Sequence, residues 1–242
     1  MRALLLLACT GCSTVLGIDD LSGPLAGDAA GDGSTIEPDG PVVPPGNLLI
    51  AGRVLTINLD GVPGAIVELV DQPAGIPTAE TVSAADGTFA LVIDTNGAQF
   101  DGAGLRVRSD LTTLATRVYF REALSPDRPM TNVKLQVFGD TAIDELAMLC
   151  NLPPGIAKSM FVVFSVDSQG APVLNVPFTT APTATFCAER NGVFGPTGDT
   201  GTSGNAFAFE LLPGVVTVTI GGEMRSGRVD TSTVTEVLVT AP

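Results

Sequence analysis

Short apolar stretches alternate with turn residues along most of the chain after residue 46. In the segment AIVELV, Ala65, Val67 and Leu69 occupy alternate positions, and this period of two indicates a strand with one buried face. About seven such segments lie between residues 47 and 138, at a spacing typical of a small sandwich. The turn at Ala85–Gly87 is expected to close a hairpin. The pattern therefore predicts an all-β fold built of small antiparallel β-sandwiches.

One stretch has the helical period instead. In DTAIDELAMLC (Asp140–Cys150) the apolar positions recur at i, i+3, i+4 and i+7, namely Ile143, Leu146, Ala147 and Cys150. Asp140 or Thr141 is expected to cap the first turn, and the Pro-Pro-Gly that follows is expected to end the helix. The pattern predicts a short connecting helix and turn over residues 139–156, packed against a sandwich.

After residue 157 the features of the first half return. The spacing G-x-P-x-x-x-V occurs at Gly61–Val67 and again at Gly170–Val176. The segment VTEVLVT (Val234–Thr240) has the composition of a closing strand. We therefore expect a second, diverged β-sandwich over residues 157–242, with a smaller β-extension of the first sandwich as the alternative.

The two copies of this pattern differ in length. The Pro of G-x-P and the Gly of the following turn lie 24 residues apart in the first copy (Pro63, Gly87) and 32 apart in the second (Pro172, Gly204). The difference predicts an insertion in the second copy, within Cys187–Gly201.

Composition excludes several classes of function. The net charge is −14 and only 16% of residues are charged, which argues against binding to nucleic acid or to anionic lipid headgroups. The chain has no His, so it cannot form a Ser-His-Asp or Cys-His triad or a His-ligated zinc site. Its acidic residues are scattered, mostly at turns. We therefore expect no catalytic residue, no metal site and no cofactor, and the chain is not predicted to be an enzyme.

The first residues have the pattern of a processing signal, with a buried N-terminal strand as the weaker alternative. Arg2 is followed by a run of about eight apolar residues, far short of the roughly 20 that a transmembrane helix needs. Gly11 and Cys12 follow this run, and the pattern resembles the lipobox of bacterial lipoproteins. In that family the signal peptide is cut before the Cys, whose thiol then takes a diacylglycerol. The resemblance implies a signal peptide over residues 1–11 and a lipid at Cys12, with Cys9 as the alternative.

The resemblance also implies an address. Asp after the lipidated Cys favours retention in the inner membrane of enteric bacteria, and Ser13 stands there instead. The expected location is therefore the cell envelope, lipid-anchored, with the outer membrane of a Gram-negative bacterium favoured. Residues 12–46 are rich in Gly, Pro, Asp and Ala without any period, so we expect a flexible acidic linker between the lipid and the folded part.

Three motifs in the first half resemble those of carboxypeptidase regulatory-like domains. They are G-R-V at Gly52–Val54, G-x-P-x-x-x-V at Gly61–Val67 and D-G-x-F-x-L at Asp86–Leu91. The resemblance implies a transthyretin-like (prealbumin-like) β-sandwich of about seven strands over residues 47–138. In carboxypeptidases this module carries no catalytic residue, so the resemblance implies architecture and not chemistry.

The cysteines that remain after processing form a pair. With Cys9 removed and Cys12 lipidated, Cys150 and Cys187 are left, and an even number in an exported chain indicates a disulfide. Two buried free thiols are the alternative.

Some prealbumin-like surface domains of Gram-positive adhesins carry an isopeptide bond between Lys and Asn or Asp, assisted by a buried acid. Lys158, with Asp230 or Glu236, could imitate that arrangement in this chain. A solvent-exposed Lys158 is the simpler interpretation.

These observations predict a non-enzymatic cell-envelope lipoprotein that presents β-sandwich modules for structural or protein-interaction roles. The alternative is a module that binds carbohydrate or another ligand through loops such as Cys187–Gly201. The expected partners are the membrane, through the lipid, and a protein or glycan that the sequence does not name.

Overall fold

In the computed structural model, the described residues are 43–56, 58–72, 74–110, 114–120, 123–153, 159–168 and 171–241. They form fifteen β-strands, one α-helix and one short 3-10 turn. The predicted all-β class is confirmed by this strand content. The segment that contains Cys9, Cys12 and most of the expected linker lies outside the described residues.

The first half of the chain contains seven strands. They are β1 (Asn47–Thr56), β2 (Ile66–Val70), β3 (Glu80–Val82), β4 (Thr88–Asp94), β5 (Gly104–Arg108), β6 (Ala115–Tyr119) and β7 (Met130–Val137). The sheet β4-β1-β7 packs against the strands β6-β5-β2-β3. Strand β1 pairs antiparallel with β4 but parallel with β7, so this sandwich is not purely antiparallel.

The helix and eight more strands follow. They are α1 (Asp140–Leu149), β8 (Ser159–Val166), β9 (Thr179–Ala181), β10 (Phe186–Arg190), β11 (Val193–Thr197), β12 (Asn205–Phe209), β13 (Gly214–Ile220), β14 (Glu223–Val229) and β15 (Thr233–Thr240). Strands β12-β8-β15 repeat the order of β4-β1-β7, including a parallel pair, β8 with β15. Strands β14-β13-β9 correspond to β6-β5-β2. The second half is therefore a second copy of the sandwich.

The two sandwiches share one sheet. Strand β15 pairs parallel with β8 on one side and with β6 of the first sandwich on the other. The result is a nine-stranded sheet in the order β11-β10-β12-β8-β15-β6-β5-β2-β3. Because backbone hydrogen bonds cross the junction, the two sandwiches are joined as one body and not as beads on a linker.

The alternate side chains of β15 enter two different cores. Val234 and Leu238 point into the core formed with β4-β1-β7 and the helix, whereas Val237 and Val239 point into the core under β14-β13-β9. The nine-stranded sheet is thus covered on opposite faces by its two three-stranded partners.

Backbone hydrogen bonds fix the alignment of the two copies. In the first, the Val54 N–H bonds to Gly87 O and the Val62 N–H bonds to Val54 O; in the second, Ser165 N–H bonds to Gly204 O and Val173 N–H bonds to Ser165 O. Val54 and Ser165 are therefore equivalent, as are Val62 and Val173, which is an offset of 111 residues.

This offset corrects the alignment made from the prolines. Pro172 bridges to Val166, as Gly61 bridges to Leu55, so Pro172 takes the place of Gly61 and not of Pro63. Two Pro residues in equivalent loops had suggested an offset two residues shorter. The backbone pairing, rather than the residue type, decides the correspondence.

Close backbone approach explains two motif glycines. A Cβ on Gly61 would lie 2.0 Å from Asp86 O, and a Cβ on Gly87, at φ +86°, would lie 2.4 Å from Val54 O. The turn at Asp86 and Gly87 therefore packs directly on the chain after β1, a contact that only glycine permits at both positions.

Four local predictions have different outcomes. The helix is confirmed, and Ile143 and Ala147 on its predicted apolar face are buried. The predicted cap is wrong, because Gly139 is the N-cap and no side chain bonds there. The predicted hairpin at Ala85–Gly87 is also wrong: it joins β3 and β4, which belong to different sheets. The expected insertion, Cys187–Gly201, is largely the β10–β11 hairpin added to β12.

The predicted disulfide is confirmed. Cys150, directly after α1, is bonded to Cys187 in β10, across a sequence separation of 37 residues. It fixes the helix against the outer strands of the second sandwich. In the chain-entropy model, closing a loop of this length stabilises the fold by roughly 4 kcal/mol.

Gly227 lets β14 cross close over the shared sheet. A Cβ at this position would lie 2.6 Å from Val237 Cγ2, 3.0 Å from Thr235 Cγ2 and 3.1 Å from Phe161 Cε2. Substitution Gly227→Ala should therefore overpack the junction and lower the free energy of unfolding by about 1–3 kcal/mol, measured by urea denaturation. Gly195→Ala in β11, with nothing within 4 Å, is the matched control and should change it little. Equal effects of the two substitutions would contradict this packing.

Candidate functional site

The structure places two groups of polar residues where the sandwiches meet. One is an open cleft at the carboxyl ends of the three parallel strands β6, β15 and β8. We call it the end cleft, and it is lined by Gln99, Asp101, Ala123, Ser125, Arg128, Ser168, Glu223, Arg225 and Thr240. Its volume is about 560 Å³. Because the loops that follow parallel strands leave on the same side, residues distant in sequence converge there.

Arg225 is the most enclosed cation of the end cleft. It lies in β14, and its Nη2 is 3.2 Å from Glu223 Oε1, while Nη1 is 3.9 Å from Asp101 Oδ2 in the first sandwich. The Arg225 Nε is buried and has no hydrogen-bond acceptor. Its existing acidic neighbours therefore leave part of the guanidinium unsatisfied.

The second group, which we call the junction cluster, consists of Asp71, Arg117, Tyr119, Arg228 and Asp230. Arg117, in β6, has a side chain only 4% exposed, and its Nη2 is 2.9 Å from Asp230 Oδ2. Its Nη1 donates to the Arg228 carbonyl at 3.1 Å, and its Nε is 3.7 Å from Asp71 Oδ2. Tyr119 donates to Asp71 and accepts from the Arg228 N–H at 3.1 Å. Three residues of the first sandwich are thereby tied to two of the second.

The surroundings shift the pKa of two members of the junction cluster, Asp230 and Tyr119. Burial works to raise the pKa of Asp230, but Arg117 and then Arg228 outweigh it and hold that pKa below its usual value. Burial, reinforced by the hydrogen bond to Asp71, raises the pKa of the Tyr119 hydroxyl. Tyr119 therefore stays a proton donor at neutral pH. We interpret these shifts as those of a structural ion-pair network, since none of the five residues lines the end cleft.

Glu236 is buried in the middle of β15, on the face of the first core. Its Oε1 has no hydrogen-bond partner, and Thr116 Oγ1 on the same face of neighbouring β6 has none either. Burial raises the pKa of Glu236 to about 8, from an ordinary value of 4.5. At neutral pH the carboxyl is therefore mostly protonated.

The other residues singled out from the sequence have separate positions. Asp230 belongs to the junction cluster and Glu236 to the first core, so the structure does not bring their carboxyls to one site. Lys158 lies outside the described residues. Cys187–Gly201 contributes nothing to the end cleft, because its hairpin extends the sheet on the far side of β12. Sequence reasoning missed Arg117, Arg225 and the cleft; an Arg within the apolar segment ATRVYF was the one available signal.

Two features of the described residues bear on chemistry and on membranes. In this part of the chain, no three His, Cys, Asp or Glu side chains come together as metal ligands would. The helix in the same residues is not long and apolar enough to cross a membrane.

Comparison with known proteins finds only weak similarity. No protein-family model matches the chain, and no curated protein does. Among solved structures, it is similar to the Bacillus anthracis TIE protein, at 12% identity and a TM-score of 0.25, over 81% of this chain and 34% of that one. The chain thus spans about a third of that structure's length.

Two further similar structures are pilins. The shaft pilin SpaA from Lactobacillus rhamnosus GG is 9% identical, with a TM-score of 0.23, over 81% of this chain and 98% of that one. A streptococcal ancillary pilin is 11% identical, with a TM-score of 0.22, over 82% and 63%. TM-scores of this size lie below the level at which two chains share a fold, so the assignment of the sandwiches rests on the strand pairing described above.

The burial of Arg117 predicts a measurable loss in the free energy of unfolding when this residue is replaced. Substitution Arg117→Gln leaves Asp71 and Asp230 without their shared cation and removes one of the two donors to the Arg228 carbonyl, the other being the Thr235 hydroxyl. We expect a loss of about 2–4 kcal/mol in the free energy of unfolding by urea denaturation, less than for a fully buried pair because both aspartates are partly exposed. Arg108→Gln removes a half-exposed cation paired with Glu68 and should cost less than about 1 kcal/mol. Similar losses for both variants would contradict a structural role for the junction cluster.

Glu236 predicts a pH dependence of stability. In the unfolded chain its carboxyl ionises near 4.5, whereas the folded chain holds the proton up to about pH 8. The folded state therefore binds more protons between these values, and the contribution of Glu236 to stability falls as pH rises through that window.

Glu236→Gln removes this titration while keeping the shape of the side chain. We expect the variant to exceed the natural chain in stability by up to roughly 4 kcal/mol at pH 8 and by much less at pH 4.5, in scanning calorimetry over that range. Glu80→Gln, at an exposed position of the edge strand β3, serves as the control. Parallel stability curves for the natural chain and the Glu236 variant would refute a buried, protonated carboxyl.

Proposed function

We propose that this chain is an exported, lipid-anchored, non-enzymatic protein of the cell envelope that presents its paired β-sandwiches for structural or protein-interaction roles. The first sandwich, with seven strands over residues 47–138, is proposed to be a carboxypeptidase regulatory-like module. Cys12 carries the lipid in this proposal, with Cys9 as the alternative, and the outer membrane of a Gram-negative bacterium is the proposed location.

The observation that carries the proposal is the shared nine-stranded sheet. Inter-domain interfaces within a chain are usually modest in area and polar, and the domains commonly move relative to one another. Here β15 closes the gap with a continuous hydrogen-bonded ladder to β6 and β8. Such a body keeps its shape under load and holds its surface loops in fixed relative positions, which suits a structural or display role.

The position of the two chain ends supports a tether. Gly46, where the described chain enters the fold, accepts a hydrogen bond from Thr95 at 2.7 Å and one from the Gly97 N–H at 3.2 Å. The loop that contains these residues continues to Gln99 in the end cleft, and Thr240 at the end of β15 lines the same cleft. The start of the described fold therefore lies near the cleft and the end of β15 lines it, and a tether over residues 12–46 would leave the opposite end facing away from the anchoring surface.

The disulfide supports export. Disulfides persist in the periplasm and outside the cell and are rare in the cytosol. Cys150 and Cys187 are both nearly buried, so the bond is a structural one rather than an exposed, reactive pair. In a cytosolic protein, Cys150 and Cys187 would lie side by side as two reduced thiols.

The intact mass of the chain extracted from membranes of its own cells tests the proposal. We expect a polypeptide that starts at Cys12 and carries diacylglycerol, with Cys150 and Cys187 resisting alkylation until a reductant is added. Substitution Cys12→Ser should abolish the lipid and the membrane association, whereas Cys9→Ser should leave both unchanged.

Two other masses and one alkylation result would each change the proposal in a specific way. A lipidated chain that starts at Cys9 keeps the anchor and corrects the residue. A chain that retains Met1 and carries no lipid contradicts the proposed location in the cell envelope. Alkylation of both cysteines without a reductant removes the support that the disulfide gives to export.

A further inference from the structure

The end cleft has the size and chemistry of a binding site. At about 560 Å³ it falls within the range of sites that bind small molecules in proteins. Such sites are usually mostly apolar, however, and this one is lined almost wholly by polar side chains. The ligand that fits it must therefore satisfy many hydrogen-bonding groups at once.

The mixture of groups favours a ligand rich in hydroxyls. The cleft offers donors from arginine, amide and hydroxyl side chains together with the carboxylates of Asp101 and Glu223. A hydroxyl both donates and accepts, so a ring bearing several of them can use both kinds of group. Among the described residues, none of the lining side chains is aromatic, so they offer no stacking platform that would hold a ring by its face. Recognition must come from charge and hydrogen bonds.

The arginines add a preference for an anion. Arg128 and Arg225 both line the cleft and balance the carboxylates of Asp101 and Glu223 there, in a chain that has only 12 Lys and Arg against 26 Asp and Glu overall. The guanidinium of Arg225 is held loosely on one side, since Asp101 is 3.9 Å away and its side chain is 65% exposed. A pair of this kind contributes little energy. A ligand carboxylate can replace Asp101 and bond to the planar guanidinium in two places.

We propose that the end cleft binds a carboxylate-bearing sugar. The carboxylate lies against Arg225 and Arg128, and the ring hydroxyls bond to Ser125, Ser168 and Gln99 from both sandwiches. The inference goes beyond the proposed function. If the tether of that proposal holds, the cleft faces the anchoring surface, and acidic polysaccharide of the envelope is the source of such sugars.

Titration calorimetry of the purified full-length chain in detergent micelles tests the proposal, with trigalacturonate as the probe and its neutral methyl ester as the matched ligand. We expect the acid to bind at least tenfold more tightly than the ester. Added salt should weaken binding of the acid, because the contact is partly exposed.

Variants locate the binding. Arg225→Gln and, separately, Arg128→Gln should each weaken binding of trigalacturonate at least tenfold. Arg108→Gln, an arginine of the first sandwich outside the cleft, should leave it unchanged. Arg128 is exposed, so its variant tests the site even if the Arg225 variant fails to fold.

Three results overturn the proposal: no heat of binding with trigalacturonate, equal affinity for the acid and the ester, or unchanged affinity in the Arg128 variant. Binding in micelles does not depend on lipidation. A failure to bind therefore does not contradict the proposal of an anchored, exported protein. Conversely, a chain without lipid that still binds the acid contradicts the proposed anchor but not the binding site in the end cleft.

Discussion

Strand β15 forms backbone hydrogen bonds to both sandwiches at once, and the rest of the structure depends on that double pairing. Eight of its residues pair with β8 and five with β6, all in parallel register. Each of its faces is covered, so the strand has no side exposed to water except at its end. The cores, the end cleft and the junction cluster are all arranged around it.

A strand buried on both faces imposes strict demands on its neighbours. Gly227 has no side chain because β14 must pass close over β15. Arg117, from the adjacent β6, is a buried charge, and it is stabilised by bonds to Asp230 and to the Arg228 carbonyl. Glu236, in β15 itself, has no such partner for its Oε1, and its carboxyl is neutral instead. One buried charge is thus compensated by partners and the other by a proton, which are the two ways that proteins tolerate buried ionisable groups.

Local structure could be predicted from the chain because local patterns determine it. The alternation of Ala65, Val67 and Leu69 fixes which face of β2 is buried, and all three are buried. The helical spacing of Ile143 and Ala147 fixes α1 in the same way. These features depend on residues a few positions apart.

Pairing between strands could not be predicted, because a period of two is the same whether a neighbour is parallel or antiparallel. Nothing in VTEVLVT shows that it pairs with a strand more than a hundred residues earlier. The burial of Arg117 and the existence of the end cleft depend on that pairing, so they were out of reach as well. The two prolines, Pro63 and Pro172, misled for a related reason: similar turns can carry the same residue at non-equivalent positions.

The double role of β15 also sets an order of events during synthesis. Until this strand arrives, β6 and β8 each present a row of unpaired N–H and C=O groups, and an open edge of this kind is a template for pairing with other chains. It is the last of the fifteen strands in the described chain. During synthesis both edges are therefore open from the formation of β8 until β15 has emerged, and β15 then protects both in a single step. Long-range pairing of this type is slow, which makes the interval before closure the time at which this protein is most vulnerable to aggregation.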